Sequence, residues 1–156
     1  MARPLTIRAP MAGVVRTLDV VGDQVFAAEM VGPGCTILPE PDEAAESAAL
    51  SPVRGVLAAV HPHAFVVQSD ATRGVLVHLG IDTVELRGRG FAPLLEVGAA
   101  VEVGDVVVRW DAAAVIRAGL SVLCPVVAIQ AASGAVRWLV RPGDRVAAGD
   151  PLLEWA

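Results

Sequence analysis

Short apolar segments, each fenced by turn residues, constrain this chain most. Ala12 to Leu18, Val53 to Val60, Ala64 to Gln68 and Val75 to Leu79 are the clearest in the first half. Val106 to Trp110, Val126 to Gln130, Ala135 to Val140 and Leu152 to Trp155 follow. Most span five to seven residues, the length of a strand and not of a helix. β-Branched residues dominate several of them, which favours a pleated, half-buried surface. With 15 Gly and 11 Pro in 156 residues, few stretches escape interruption long enough to build an extended helix. One short helix is expected around Asp111 to Ala118, with Asp111 placed to cap it. The pattern predicts an all-β protein, an antiparallel sandwich or barrel with at most one or two short helices.

Apolar residues make up 54% of the chain and aromatics 4%, so its core must be built from Val, Leu, Ile and Ala. The length suits one domain, read here as residues 1–156. With a net charge of −5, nothing in the chain resembles a basic footprint for nucleic acid. Ala118 to Val136 carries no charge and approaches the length of a membrane span. Pro125, Gly119, Gly134 and Gln130 break it up, and a strand followed by the turn AASG accounts for it better. The start, MARPLTIRAP, has no apolar secretory core, so the expected location is the cytoplasm, with no membrane insertion. Cys35 and Cys124 make neither a CxxC pair nor a disulfide framework and are expected to be reduced, with no catalytic role. The polar run PEPDEAAES, residues 39–47, reads as a surface loop.

Gly-Asp pairs recur at 22–23, 104–105, 143–144 and 149–150. Glycine supplies the positive φ of a turn and aspartate bonds back to local backbone. The rhythm fits either a duplicated barrel unit or the habitual turns of an all-β protein.

All three histidines, His61, His63 and His78, fall inside HPHAFVVQSDATRGVLVHLG. Two histidines on separate strands are often no more than half-buried polar residues. The motifs around them say more. HAFVVQSD at 63–70 and VHLGIDTVELRGRGF at 77–91 resemble the glucose-family enzyme IIA domain of the phosphoenolpyruvate-dependent sugar phosphotransferase system. The resemblance extends through APM near Pro10, Val25 to Gly34, Pro52 to Gly55, Val101 to Asp105 and Pro125 to Val127. It implies that His78 accepts a phosphoryl group, that His63 supports it, and that the Gly80 carbonyl holds the His78 Nδ1 proton. It further implies a donor, the histidine phosphocarrier protein, and acceptors among sugar-specific IIB/IIC components. A regulatory protein of the same fold, without a transport role, is the alternative. No cofactor is required by the resemblance, although zinc on His63 and His78 is possible, adventitious or completed by a partner.

Asp82 and Thr83 are expected to bond to backbone and orient the loop after the acceptor. Val25, Phe26, Val31, Leu76, Leu79 and Ile81 are the candidates for a partner-docking ring. His61 stands where the family commonly has threonine; it either adds a donor beside the phosphoryl group or points to solvent. In an extended chain His61 and His63 project to one face. Two other readings weaken on inspection. APMAGVV and RPGDRVAAGDPLLEW sound like a biotinyl or lipoyl carrier, but the chain has no lysine to acylate. HPH with His78 suggests a zinc peptidase, but no acidic ligand motif accompanies it.

Overall fold

Four turns organise the molecule. In the computed structural model, which describes residues 3–40 and 46–156, the glycine of each turn holds a positive φ: 94° at Gly98, 91° at Gly104, 95° at Gly143 and 90° at Gly149. At three of them the following aspartate folds back onto its own turn. Asp105, Asp144 and Asp150 each accept, through Oδ2, from the backbone N–H three residues earlier at 2.8–2.9 Å. Each glycine N–H then donates to a distant backbone carbonyl, on Leu57, Ser51, Val15 and Ala9 respectively. The same four residues donate back to the carbonyl after the glycine, on Ala99, Asp105, Asp144 and Asp150.

These reciprocal bonds come in two matching sets, six residues apart within each set. Ala9-Pro10-Met11-Ala12-Gly13-Val14-Val15 therefore corresponds to Ser51-Pro52-Val53-Arg54-Gly55-Val56-Leu57, and Arg141–Trp155 to Glu96–Trp110. The chain contains one strand-and-turn unit twice, and the duplicated-unit reading of the Gly-Asp rhythm is the right one. Gly22-Asp23 is the exception: Asp23 accepts from Val25 N–H and opens a short helix instead.

The strands are β1 (Leu5–Arg8), β2 (Gly13–Arg16), β3 (Gly34–Pro39), β4 (Ser47–Leu50), β5 (Gly55–His61), β6 (Ala64–Gln68) and β7 (Gly74–His78). They continue as β8 (Phe91–Pro93), β9 (Ala100–Val101), β10 (Val106–Trp110), β11 (Cys124–Ala128), β12 (Val136–Trp138), β13 (Arg145–Val146) and β14 (Pro151–Trp155). One sheet runs β13-β2-β3-β11-β7-β6-β5-β9, and two three-stranded sheets run β1-β14-β12 and β4-β10-β8. The strand pairs are antiparallel. The duplication shows in register too. Leu5 pairs with Trp155 as Ser47 pairs with Trp110, and each pair of strands slips by one residue at the matching point.

Among the described residues two short α-helices complete the all-β fold. α1 spans Gln24–Ala27 and α2 spans Ala112–Arg117, where Asp111 Oδ1 accepts from Ala114 N–H at 3.0 Å as an N-cap. The uncharged stretch 118–136 holds β11 and the turn after it, and no helix among the described residues is long and apolar enough to cross a membrane. Of the expected polar loop 39–47, residues 41–45 lie outside the described residues, while Pro39 ends β3 and Ser47 begins β4.

The main core gathers Ile7, Ile37, Leu57, Phe65, Leu79, Trp110, Leu152 and Leu153, all at most 1% exposed. A smaller cluster of Leu18, Val21, Phe26, Ile81 and Val127 lies on the other face of the large sheet. Arg73, nearly buried, ties the far end of the β6–β7 hairpin to the chain ends. Its NH1 donates to the carbonyls of Arg3 (2.9 Å) and Trp155 (3.1 Å), and its Nε donates to Asp70 Oδ2 (2.7 Å).

Two predictions test this architecture. Asp144→Ala and Asp150→Ala should each cost about 1 kcal/mol, the value of one such hydrogen bond, seen as a lower urea midpoint at unchanged m. Cys35 and Cys124 are fully buried, and burial pushes both thiols up to about 12. Neither should react with a thiol reagent at neutral pH until the protein is unfolded, when both should titrate.

Candidate functional site

Register places the histidines. On β7 the side chains of Val75 and Val77 enter the main core with no exposure, so alternation sends Leu76 and His78 to the opposite face. Ala64 of β6 lies directly opposite His78, and His61 of β5 lies directly opposite Ala64. His63 sits in the two-residue turn between β5 and β6, and its carbonyl accepts from Leu79 N–H at 2.7 Å. That bond ties the turn carrying one histidine to the residue after the other. The rings of His63 and His78 meet edge to face, with centroids 5.2 Å apart and planes at 67°. The Phe26 ring closes the other side of His78 at 5.4 Å and 66°.

One hydrogen bond decides the chemistry of His78. Its Nδ1 lies 2.6 Å from the Gly80 carbonyl oxygen. A carbonyl only accepts, so Nδ1 carries the proton and Nε2 keeps its lone pair. The carbonyl is aimed by the turn that follows. Gly80 has φ +75°, and a Cβ there would run into the Thr83 methyl and the Ser121 carbonyl. Thr83, 1% exposed, donates its hydroxyl to the Leu79 carbonyl at 2.7 Å, and Ile81 N–H donates to Ser121 at 3.0 Å.

Burial lowers the His78 pKa below 6.5, and this outweighs the opposing pull of the Gly80 carbonyl, Asp23 and Asp82. His63 is lowered as well, by burial first and then by the nearby His78 and His61 rings. Both imidazoles are therefore neutral near pH 7, the state in which an imidazole is a nucleophile.

The structure sorts the remaining site candidates. Thr83 bonds to backbone as expected. Asp82 joins the turn only through its carbonyl, which accepts from Glu85 N–H at 3.1 Å; it takes a left-handed φ of 60°, and its carboxylate makes no cap at the 3-10 turn Thr83–Leu86. Leu79 is wholly buried in the main core and belongs to no docking ring, because it continues the inward alternation of Val75 and Val77. Phe26 and Ile81, 8% and 7% exposed, fill the smaller cluster and contribute walls, not a surface. Val31 and Leu76 pack against that cluster half-buried, and Val25 stands exposed. His61 is exposed, its ring centroid 5.9 Å from that of His63. Among the described residues no three His, Cys, Asp or Glu side chains converge on a metal-sized centre, and nothing here supports zinc on His63 and His78.

Sequence reasoning passed over Met30 and Val84, both exposed apolar residues, and Asp23, whose charge reaches His78. The available signal was a methionine and a valine set among acidic residues; Asp23 was hidden by its membership of a turn pair.

Fold and site define an antiparallel β protein built by duplication, with facing imidazoles on one sheet. Comparison with known proteins gives this class a family. The family model for the phosphoenolpyruvate-dependent sugar phosphotransferase system, EIIA 1, matches residues 5–134. The glucose-specific EIIA component of Oceanobacillus iheyensis is 33% identical over 127 residues, covering 80% of this chain and 74% of that protein. The β-glucoside-specific EIIBCA component of Bacillus subtilis is 37% identical over 123 residues, 78% of this chain but 19% of that longer protein. The solved glucose permease IIA of Mycoplasma capricolum superposes with a TM-score of 0.85 at 30% identity, over 98% of this chain and 96% of that one. The chain belongs to the EIIA 1 family of the sugar phosphotransferase system. EIIA components are phosphotransferases within a phosphoryl relay.

Two predictions follow from the geometry. Gly80→Ala should displace the carbonyl that holds the Nδ1 proton, so His78 in the variant should lose its single tautomer in ¹⁵N-edited imidazole spectra. Because both histidines protonate less readily folded than unfolded, stability should be fullest above pH ~6.5 and decline as pH falls through their lowered values. Urea titrations over that window should show the slope flattened in His63→Ala.

Proposed function

We propose that this protein relays phosphoryl groups during sugar uptake, with His78 Nε2 as the acceptor atom. The observation that carries this reading is the 2.6 Å bond from His78 Nδ1 to the Gly80 carbonyl. It leaves one nitrogen nucleophilic and fixes where it points. The donor is the histidine phosphocarrier protein. Nε2 bonds to phosphorus as the donor's P–N bond breaks, and that electron pair stays on the donor imidazole. The transition state for such a transfer is loose and needs positioning and charge stabilisation more than covalent help. His63, 5.2 Å away, is placed to donate an N–H to the phosphoryl oxygens. The phosphoryl group then leaves His78 for the cysteine thiolate of a sugar-specific IIB component, which works with a membrane IIC component. The proposed location is the cytoplasm.

The surroundings suit protein docking. Val25, Met30 and Val84 are 46%, 66% and 60% exposed on segments that border the histidines. Asp23, Glu29, Asp82 and Glu85 stand among them. Exposed apolar side chains on acidic segments fit a partner with an apolar face edged by basic residues.

Intact mass after incubation with phosphoenolpyruvate, enzyme I and the phosphocarrier tests the reading. One added phosphoryl group, acid-labile and alkali-stable, is expected, and peptide mapping should place it on His78. His78→Ala should not be phosphorylated. His63→Ala should accept the group but pass it on roughly 100-fold more slowly, the usual loss for a donor aimed at transition-state charge. Normal acceptance by the His78 variant overturns the assignment.

A further inference from the structure

His61 belongs to the same row of side chains as His78. His61, Ala64 and His78 are direct register partners across β5, β6 and β7, so all three side chains leave the sheet on one face. Two strand spacings separate the outer pair, roughly 10 Å. Ala64 carries only a methyl group, which leaves the space above it free. The ring of His63, reaching over from the turn, occupies that space: its centroid lies 5.2 Å from His78 and 5.9 Å from His61. The His63 ring therefore neighbours both of the other imidazoles.

The His63 ring has a problem of orientation. A neutral imidazole has one N–H and one bare nitrogen, and which nitrogen bears the proton is set by the hydrogen bond the other makes. His78 has the Gly80 carbonyl for this. The His63 carbonyl is engaged with Leu79, and among the described residues no backbone carbonyl holds its ring as Gly80 holds His78. His61 is the side chain on its far side. Two imidazoles joined by an N–H···N bond have centroids about 5 Å apart. The planes of His61 and His63 already lie within 30° of each other at 5.9 Å. Side-chain rotation of the exposed His61 closes the remainder.

We propose that His61 is a positioning residue for His63. Its ring N–H donates to the His63 nitrogen that faces away from His78, which leaves the other His63 nitrogen protonated and aimed at the phosphoryl group. This rests on the relay reading of His78. The row would then hold two fixed tautomers, one set by the Gly80 carbonyl and one by His61.

The test has two arms. In ¹⁵N-labelled protein at mildly alkaline pH, imidazole spectra should show His63 as a single tautomer. In His61→Ala it should become a mixture, and in His61→Gln, which keeps an N–H donor, the single tautomer should return. Stopped-flow transfer from phosphorylated protein to a IIB domain should slow about fivefold in His61→Ala, the effect of one hydrogen bond, and recover in His61→Gln, with the KM for the phosphocarrier unchanged. A His63 tautomer pattern identical in wild type and His61→Ala overturns the proposal. Wild-type protein that takes up no phosphate overturns the relay reading instead and leaves the spectral arm to judge His61 alone. His61 is exposed, so neither variant should lose its fold, which circular dichroism checks.

Discussion

The pairing of β6 with β7 in one register holds the histidine face together. Side chains alternate along a strand, so a slip of one residue would drive His78 into the core and turn Val77 out to water. Val75, Val77, Phe65 and Val67 prevent it, because all four are wholly buried from these two strands. The apolar residues of this hairpin thus determine where the imidazole stands. The backbone bond from Leu79 to the His63 carbonyl then carries the same register into the neighbouring turn. A site made of two side chains from different loops would need other devices to keep them within 5.2 Å. Here the ladder itself does it.

Much of this was legible in the sequence, and the reasons are local. β6 and β10 were found to the residue because they are short, apolar and fenced by turns. The Asp111 cap and the short helix after it follow the same rules. β1, β3 and β4 were not found. β3 is buried on both faces, Cys35 and Ile37 on one and Thr36 on the other, so it shows no alternation to read. β1 and β4 are four residues each and draw their stability from β14 and β10, far along the chain. The duplication was audible as a rhythm of Gly-Asp pairs but ambiguous, since a turn motif alone does not say what it bonds to. The reciprocal bonds to Ala9, Val15, Ser51 and Leu57 resolved it.

The site was legible in a different way. Motif resemblance led to His63, His78 and the Gly80 carbonyl, and the geometry brings those three together. It was a poor guide to the docking ring. Apolar residues beside an acceptor look alike in sequence whether they face water or core, and Leu79 differs from Leu76 only by one step of alternation. Charge was harder still. Asp23 acts on His78 across a distance in sequence that no local pattern encodes.

The place where the chain ends meet has a consequence of its own. Leu5 pairs with Trp155, and Arg73 clamps the Arg3 and Trp155 carbonyls at the Gly74 end of β7. His78 lies at the opposite end of that same strand, four residue steps and so roughly 13 Å from Gly74. Any polypeptide continuing past either terminus would leave from one shared anchorage on the side remote from the imidazoles. A neighbour carried there on a flexible leash could swing widely and still leave the phosphoryl face clear for visitors.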